Sequence, residues 1–201
     1  MKRTTTRRRR EMKQFLSDNR RLFPFVGLFI GGTTIGVTVY LTAHPSDSLM
    51  QALSGPMPAP ANSGEWLSAL WECCFSPLLL LGALYLLGLW ACGAPFILAV
   101  PLFHGLGLGL IEAYYYSTGL SGVATVVTRI MPVGLLTAAV LTMAGAESLR
   151  LSLCLSRQLL PSGERDEVIG SFRLYNLRYL LFAGVTLLIG LLDVFLHYRI
   201  S

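Results

Sequence analysis

The chain has 201 residues, 53% hydrophobic and only 13% charged, with a mean hydropathy of +0.59. Soluble domains carry about 25% charged residues, and here the apolar residues run in long blocks, so a soluble globular domain is excluded. The composition predicts an all-α fold, a polytopic integral membrane bundle of about five transmembrane helices plus a short interfacial helix. The net charge of +5 is uneven, since nine of the sixteen Lys and Arg residues precede Leu22.

Residues 1–21 form a basic segment ahead of a single membrane domain, 22–198. The run Arg7 to Arg10 suits either nucleic acid or anionic lipid. An apolar span follows at once, so the segment reads as juxtamembrane, held by lipid at about 1 kcal/mol per basic residue, with no nucleic-acid partner. The first span is predicted over 22–41, whose twenty residues give about 30 Å of helix. Within it Gly27xxxGly31 and Gly32xxxGly36 let another helix approach closely. Residues 44–62 are rich in Pro, Ser and Ala with no Lys or Arg, and read as an exposed, poorly structured loop. Asn62 and Glu65 make a helix-start signal, after which Trp66, Leu67, Leu70, Trp71, Cys74 and Phe75 share one helical face. That face belongs either to a short interfacial helix or to the start of the second span. The whole of 44–75 is expected to be available to a partner, with Trp66 and Trp71 facing it.

A second span is predicted over 77–92 and a third over 95–116, separated by Gly93-Ala94-Pro95. Pro101 is expected to kink the third span. The stretch 117–129, rich in Gly, Ser and Thr, reads as a surface loop or a shielded re-entrant piece. The fourth span is predicted over 130–149, with a run-on to Leu155 open, and the fifth over 177–198. Between them 156–176 is polar, with a turn at Pro161-Ser162-Gly163. Basic residues are dense before the first span and between the last two, where Arg150, Arg157, Arg165, Arg173 and Arg178 lie. The positive-inside rule therefore predicts a cytoplasmic amino terminus and 156–176 loop, and an extracytoplasmic carboxyl terminus.

The chemistry-bearing residues form no recognisable catalytic, metal or cofactor pattern. Cys73, Cys74, Cys92 and Cys154 lack metal-ligand spacing, and the vicinal pair reads as core residues ahead of a redox role. His44, His104 and His197 fall in different segments, and no HExxH, GxSxG or phosphate loop occurs. Gly105, Gly107 and Gly109 lack the strand and frame of a dinucleotide motif and read as helix-packing positions. No catalytic residue, metal or cofactor is expected. The ionisable residues within or near spans are His104, Glu112, Arg129, Glu147 and Asp193, and charge in lipid is costly. Glu112 and Arg129 are predicted to pair. Glu147 and Asp193 lie near span ends and read as interfacial, as polar contacts within the bundle, or as a path for a small solute. His104 is expected to hydrogen-bond a neighbouring helix, with a proton or ligand role as the alternative.

Gly88, Gly93 and Pro95, then His104-Gly105-Leu106-Gly107-Leu108-Gly109, then Ile130-Met131-Pro132 resemble the stage II sporulation protein M family. The resemblance covers 75–155. It departs from the family at Val133-Gly134, where polar amides are usual, and at Glu72-Cys73-Cys74, where an asparagine is. The resemblance implies a non-enzymatic membrane scaffold for septal peptidoglycan remodelling during endospore engulfment. Its implied partners are the wall-degrading sporulation proteins D and P, met through the extracytoplasmic loop, with membrane lipid around it and a homodimer open through the glycine faces. The alternative is a permease or channel subunit for a small solute, paired with an ATPase.

Overall fold

A computed structural model describes residues 22–54, 65–158 and 166–200. The basic segment 1–21, the Asn62 helix-start signal and the Pro161-Ser162-Gly163 turn lie outside the described residues. Seven α-helices and one π-helical turn account for nearly all the described chain. Five stretches, 23–43, 70–88, 94–117, 120–156 and 172–196, are long and apolar enough to cross a membrane. The protein is a multi-pass membrane protein with an all-α bundle.

Helix α1, Phe23–Ala43, begins with proline in its first turn, where a missing N–H costs nothing. It stops at His44, whose φ of 43° is left-handed, with Pro45 next to bar continuation. Helix α2, Asp47–Ser54, follows inside the stretch expected to be unstructured. It is held by Met50, which is fully buried, while Leu49 and Leu53 stay half exposed. Helix α3, Glu65–Gly88, is one continuous element. The two-tryptophan face is therefore the first half of the second span's helix, not a separate interfacial helix, and the short extra helix is α2.

The turn after α3 closes with hydrogen bonds from Leu89 N to Leu86 O, Trp90 N to Leu87 O and Gly93 N to Trp90 O, at 3.0–3.2 Å. A Cβ at Gly93 would overlap the Leu87 carbonyl. Pro95 then occupies the first turn of α4, Ala94–Ser117. Gly93-Ala94-Pro95 thus supplies one residue without bulk and one that needs no N–H partner.

The stretch 117–129 is neither surface loop nor re-entrant piece. After Gly119, at φ 90°, it forms α5, Leu120–Thr125, and a π turn, Val126–Ile130, running straight into α6, Met131–Gln158. Thr125 and Thr128 donate to the carbonyls of Ser121 and Ala124 at 3.0 and 2.6 Å, so their polar groups are satisfied within the helix. Helix α7 spans Asp166–Ile200, taking up part of the predicted 156–176 loop. The stretch 120–156 alone is about 55 Å of helix at ~1.5 Å per residue, longer than the ~30 Å hydrocarbon layer.

The helices form two groups that share α6. Helix α1 lies along α4, with α2 against the end of α4. Helices α3, α6 and α7 pack mutually. Phe25, Leu84, Ile97, Leu141 and Ala144 fill the centre, and outward-facing residues such as Leu86, Phe103 and Leu180 are largely exposed, as lipid-facing positions are. One end of the bundle carries the α3–α4 turn, the other α2 and α5.

Candidate functional site

The ionisable residues gather in two clusters, one near each end. At the α5 end the cause is Pro132. Proline lacks an N–H, and its ring would meet the carbonyl four residues earlier in a regular helix. The preceding turn widens instead, with Met131 N donating to Val126 O, a π bond. One extra residue shifts the helix face by about 100°. Arg129 points inward, 8% exposed, while Val127 and Thr128 face outward.

Arg129 Nε donates to Asp193 Oδ1 of α7 at 2.9 Å, with both side chains largely buried. Among the described residues no ion pair joins Arg129 to Glu112. The predicted Glu112–Arg129 pair is replaced because the π turn aims the guanidinium at α7. Glu112 is itself buried in α4. Cys73 faces Asp193 from α3, and the Cys74 sulfur lies where a Cβ on Gly190 would fall. Cys74 is thus a packing residue; all four cysteines are free, and Cys92 is exposed.

A cavity of about 220 Å³ opens beside this pair, lined by polar groups from four helices, including Ser76, His104, Tyr115, Arg129, Thr137 and Asp193. Pro77, in the same wall, removes a hydrogen bond from the α3 backbone. His104 stacks on Phe29 with ring centroids 5.9 Å apart and reaches the Gly134 backbone. Its Nε2 is buried with no hydrogen-bond partner among the described residues.

At the α3–α4 turn end, Glu147 pairs with Arg178 of α7, both partly exposed. Behind them Ser148 bonds Tyr179 and lies 3.3 Å from the Tyr175 hydroxyl. Tyr175 donates to Tyr85 O at 2.9 Å, Tyr85 to Asn176 Oδ1 at 3.0 Å, and Tyr179 to Ala144 O at 3.2 Å. Ser152 donates to Trp90 O in the turn at 2.7 Å. A Cβ at Gly88 would overlap the Tyr175 hydroxyl. Sequence reasoning singled out Glu147 and Gly88 but missed Arg178, Tyr175, Tyr179, Ser148 and Ser152. The available signal was spacing: Tyr175/Tyr179 and Ser148/Ser152 are each four apart, hence on one face.

The glycines divide sharply. Gly32 and Gly36 lie on the Leu102 and Leu106 carbonyls of α4, while Gly105 and Gly109 lie on the Phe29 and Thr33 carbonyls of α1. The two GxxxG faces interlock. Gly27, Gly31 and Gly107 face open space, so none of the described helices occupies them. Trp71 is 63% exposed and tilts against Phe75 at 5.7 Å. Trp66 sits in the first turn of α3, its side chain outside the described set. Among the described residues no group of His, Cys, Asp and Glu could hold a metal ion.

No curated protein and no solved structure matches this chain. The tight Gly-x-Pro turn, the glycine-faced helix after it and the proline-driven π turn are spread over three of the five spans. The family model for stage II sporulation protein M matches residues 23–196, which takes in all of them. The chain belongs to the stage II sporulation protein M family, and is a sporulation-related membrane protein.

Proposed function

We propose that the protein is a membrane scaffold that anchors a septal peptidoglycan-remodelling complex during endospore engulfment. The wall chemistry belongs to partners, the hydrolytic sporulation proteins D and P. Family membership over 23–196 carries this reading. The bundle's construction agrees with it, because its glycine seam and hydrogen-bonded core suit a rigid platform. The amino terminus and the α3–α4 turn lie in the cytoplasm, and α2, the start of α3 and the end of α7 lie outside. Partners meet the outer end, where Trp71 and Phe75 present an exposed aromatic pair. In the sporulating host the protein collects in the septal membrane.

A clean deletion strain tests the role. Membrane-dye microscopy is expected to show septa that form but do not curve around the forespore. Engulfment at the normal rate in that strain would overturn the proposal.

One observation favours a second reading, a permease or channel subunit: the polar cavity between α3, α4, α6 and α7. Flux of a small polar solute into liposomes holding the purified protein, abolished by Asp193→Ala, would establish it. Tight liposomes would remove it.

A further inference from the structure

The groove between α6 and α7 at the α3–α4 turn end has a shape and charge that the scaffold role does not use. It measures about 230 Å³ and is lined by Glu147, Arg150, Leu151, Cys154, Leu174, Tyr175 and Arg178. At ~30 Å³ per water it holds about eight waters' worth of space, enough for a small polar group and its stem.

Its depth is fixed by its neighbours. Ser152, one residue from Leu151, donates to the Trp90 carbonyl inside the α3–α4 turn. Tyr175, in the groove wall, donates to Tyr85 O in the last turn of α3. The groove is therefore level with the place where the chain leaves the apolar layer and turns back. Trp90 is 66% exposed at that level, the position interfacial tryptophans take. Lipid phosphates lie just beyond the hydrocarbon edge, at the same height.

The charge is cationic by one, from two guanidinium groups and one carboxylate. Glu147 takes one hydrogen bond from Arg178 Nη1, and a guanidinium has five N–H donors, so Arg178 keeps donors for a second acceptor while Glu147 fixes its orientation. Arg150 is exposed and has no ion-pair partner among the described residues. Two such forks at one opening match the oxygens of a phosphate diester. Leu151 and Leu174 supply apolar walls for the glycerol and the first acyl carbons.

We propose that this groove binds the phosphodiester headgroup of an anionic membrane lipid, with Arg150 and Arg178 on the phosphate and the acyl chains running along the outer faces of α6 and α7. The site is independent of the family assignment and of which end faces the cytoplasm.

The test uses the purified full chain in neutral detergent, titrated with phosphatidylglycerol or phosphatidylcholine and read by native mass spectrometry. Phosphatidylglycerol is expected to bind more tightly. Arg150→Gln is expected to weaken it about fivefold, equivalent to ~1 kcal/mol at 1.4 kcal/mol per tenfold. Arg173→Gln, which removes an equal charge from an exposed α7 position outside the groove, is expected to change it less than twofold. Both variants should keep the parent's helical content and melting temperature. Inorganic phosphate is the competing arm, expected to displace no lipid at millimolar concentration. Equal binding of the two lipids, equal effects of the two variants, or displacement by free phosphate would each overturn the proposal.

Discussion

The two seams of this bundle are held by different physics. Along α1 and α4 the contact is backbone on backbone, with Gly32, Gly36, Gly105 and Gly109 each seated on a carbonyl of the other helix. Along α6 and α7 it is polar, with an ion pair near each end and a tyrosine–serine network between α3, α6 and α7. In lipid, helices gain little from hiding apolar surface from one another, so close packing and interhelical polar contacts are the remaining means. This chain uses both, on different pairs. A glycine seam tolerates no added atom, whereas a polar seam tolerates size changes better than loss of a partner.

Four substitutions separate the two mechanisms, each read by denaturant unfolding of purified protein in mixed micelles. The largest effect is expected for Asp193→Ala, which strips the carboxylate from buried Arg129, at about 4 kcal/mol. If the loss stays below about 1 kcal/mol, the pair adds little to stability. Gly36→Leu follows at about 3 kcal/mol, the upper range for overpacking, because the obstacle is the Leu106 carbonyl rather than a movable side chain. Tyr179→Phe keeps the ring and loses the hydroxyl's bonds to Ser148 and Ala144, for about 1 kcal/mol. Gly107→Leu is the control: it faces open space and should cost less than about 0.5 kcal/mol. Equal costs at Gly36 and Gly107 would mean that helix propensity, not close approach, explains the glycines.

Hydropathy made the five spans legible, and the Gly93-Ala94-Pro95 break located the tight turn between α3 and α4. The glycine faces were legible as packing sites, but the choice of register was not. Helix α1 offers Gly27xxxGly31 and Gly32xxxGly36, and only the partner helix determines which is filled. The ion pairs were hidden for a related reason. Arg129 and Glu112 stand at facing ends of successive spans, which suggested a pair; the π turn ahead of Pro132 rotates Arg129 to an acid 64 residues away. Arg178, the partner of Glu147, reads from sequence as the edge of a polar loop because the charges of 156–176 mask where α7 begins. Composition also misdirected the reading of 117–129. Its Ser and Thr residues look loop-forming, yet Thr125 and Thr128 bond back to their own helix.

The scaffold proposal stands or falls on what meets the first turns of α3, at the end of the bundle opposite the α3–α4 turn. A photocrosslinking residue in place of Trp71, in otherwise intact protein, can be activated in sporulating cells while septa are being remodelled. The account predicts a covalent adduct with a peptidoglycan hydrolase, absent when the same residue replaces Trp90 at the opposite end of the bundle. Adducts from position 90 alone, or none with any wall enzyme from position 71, would contradict it.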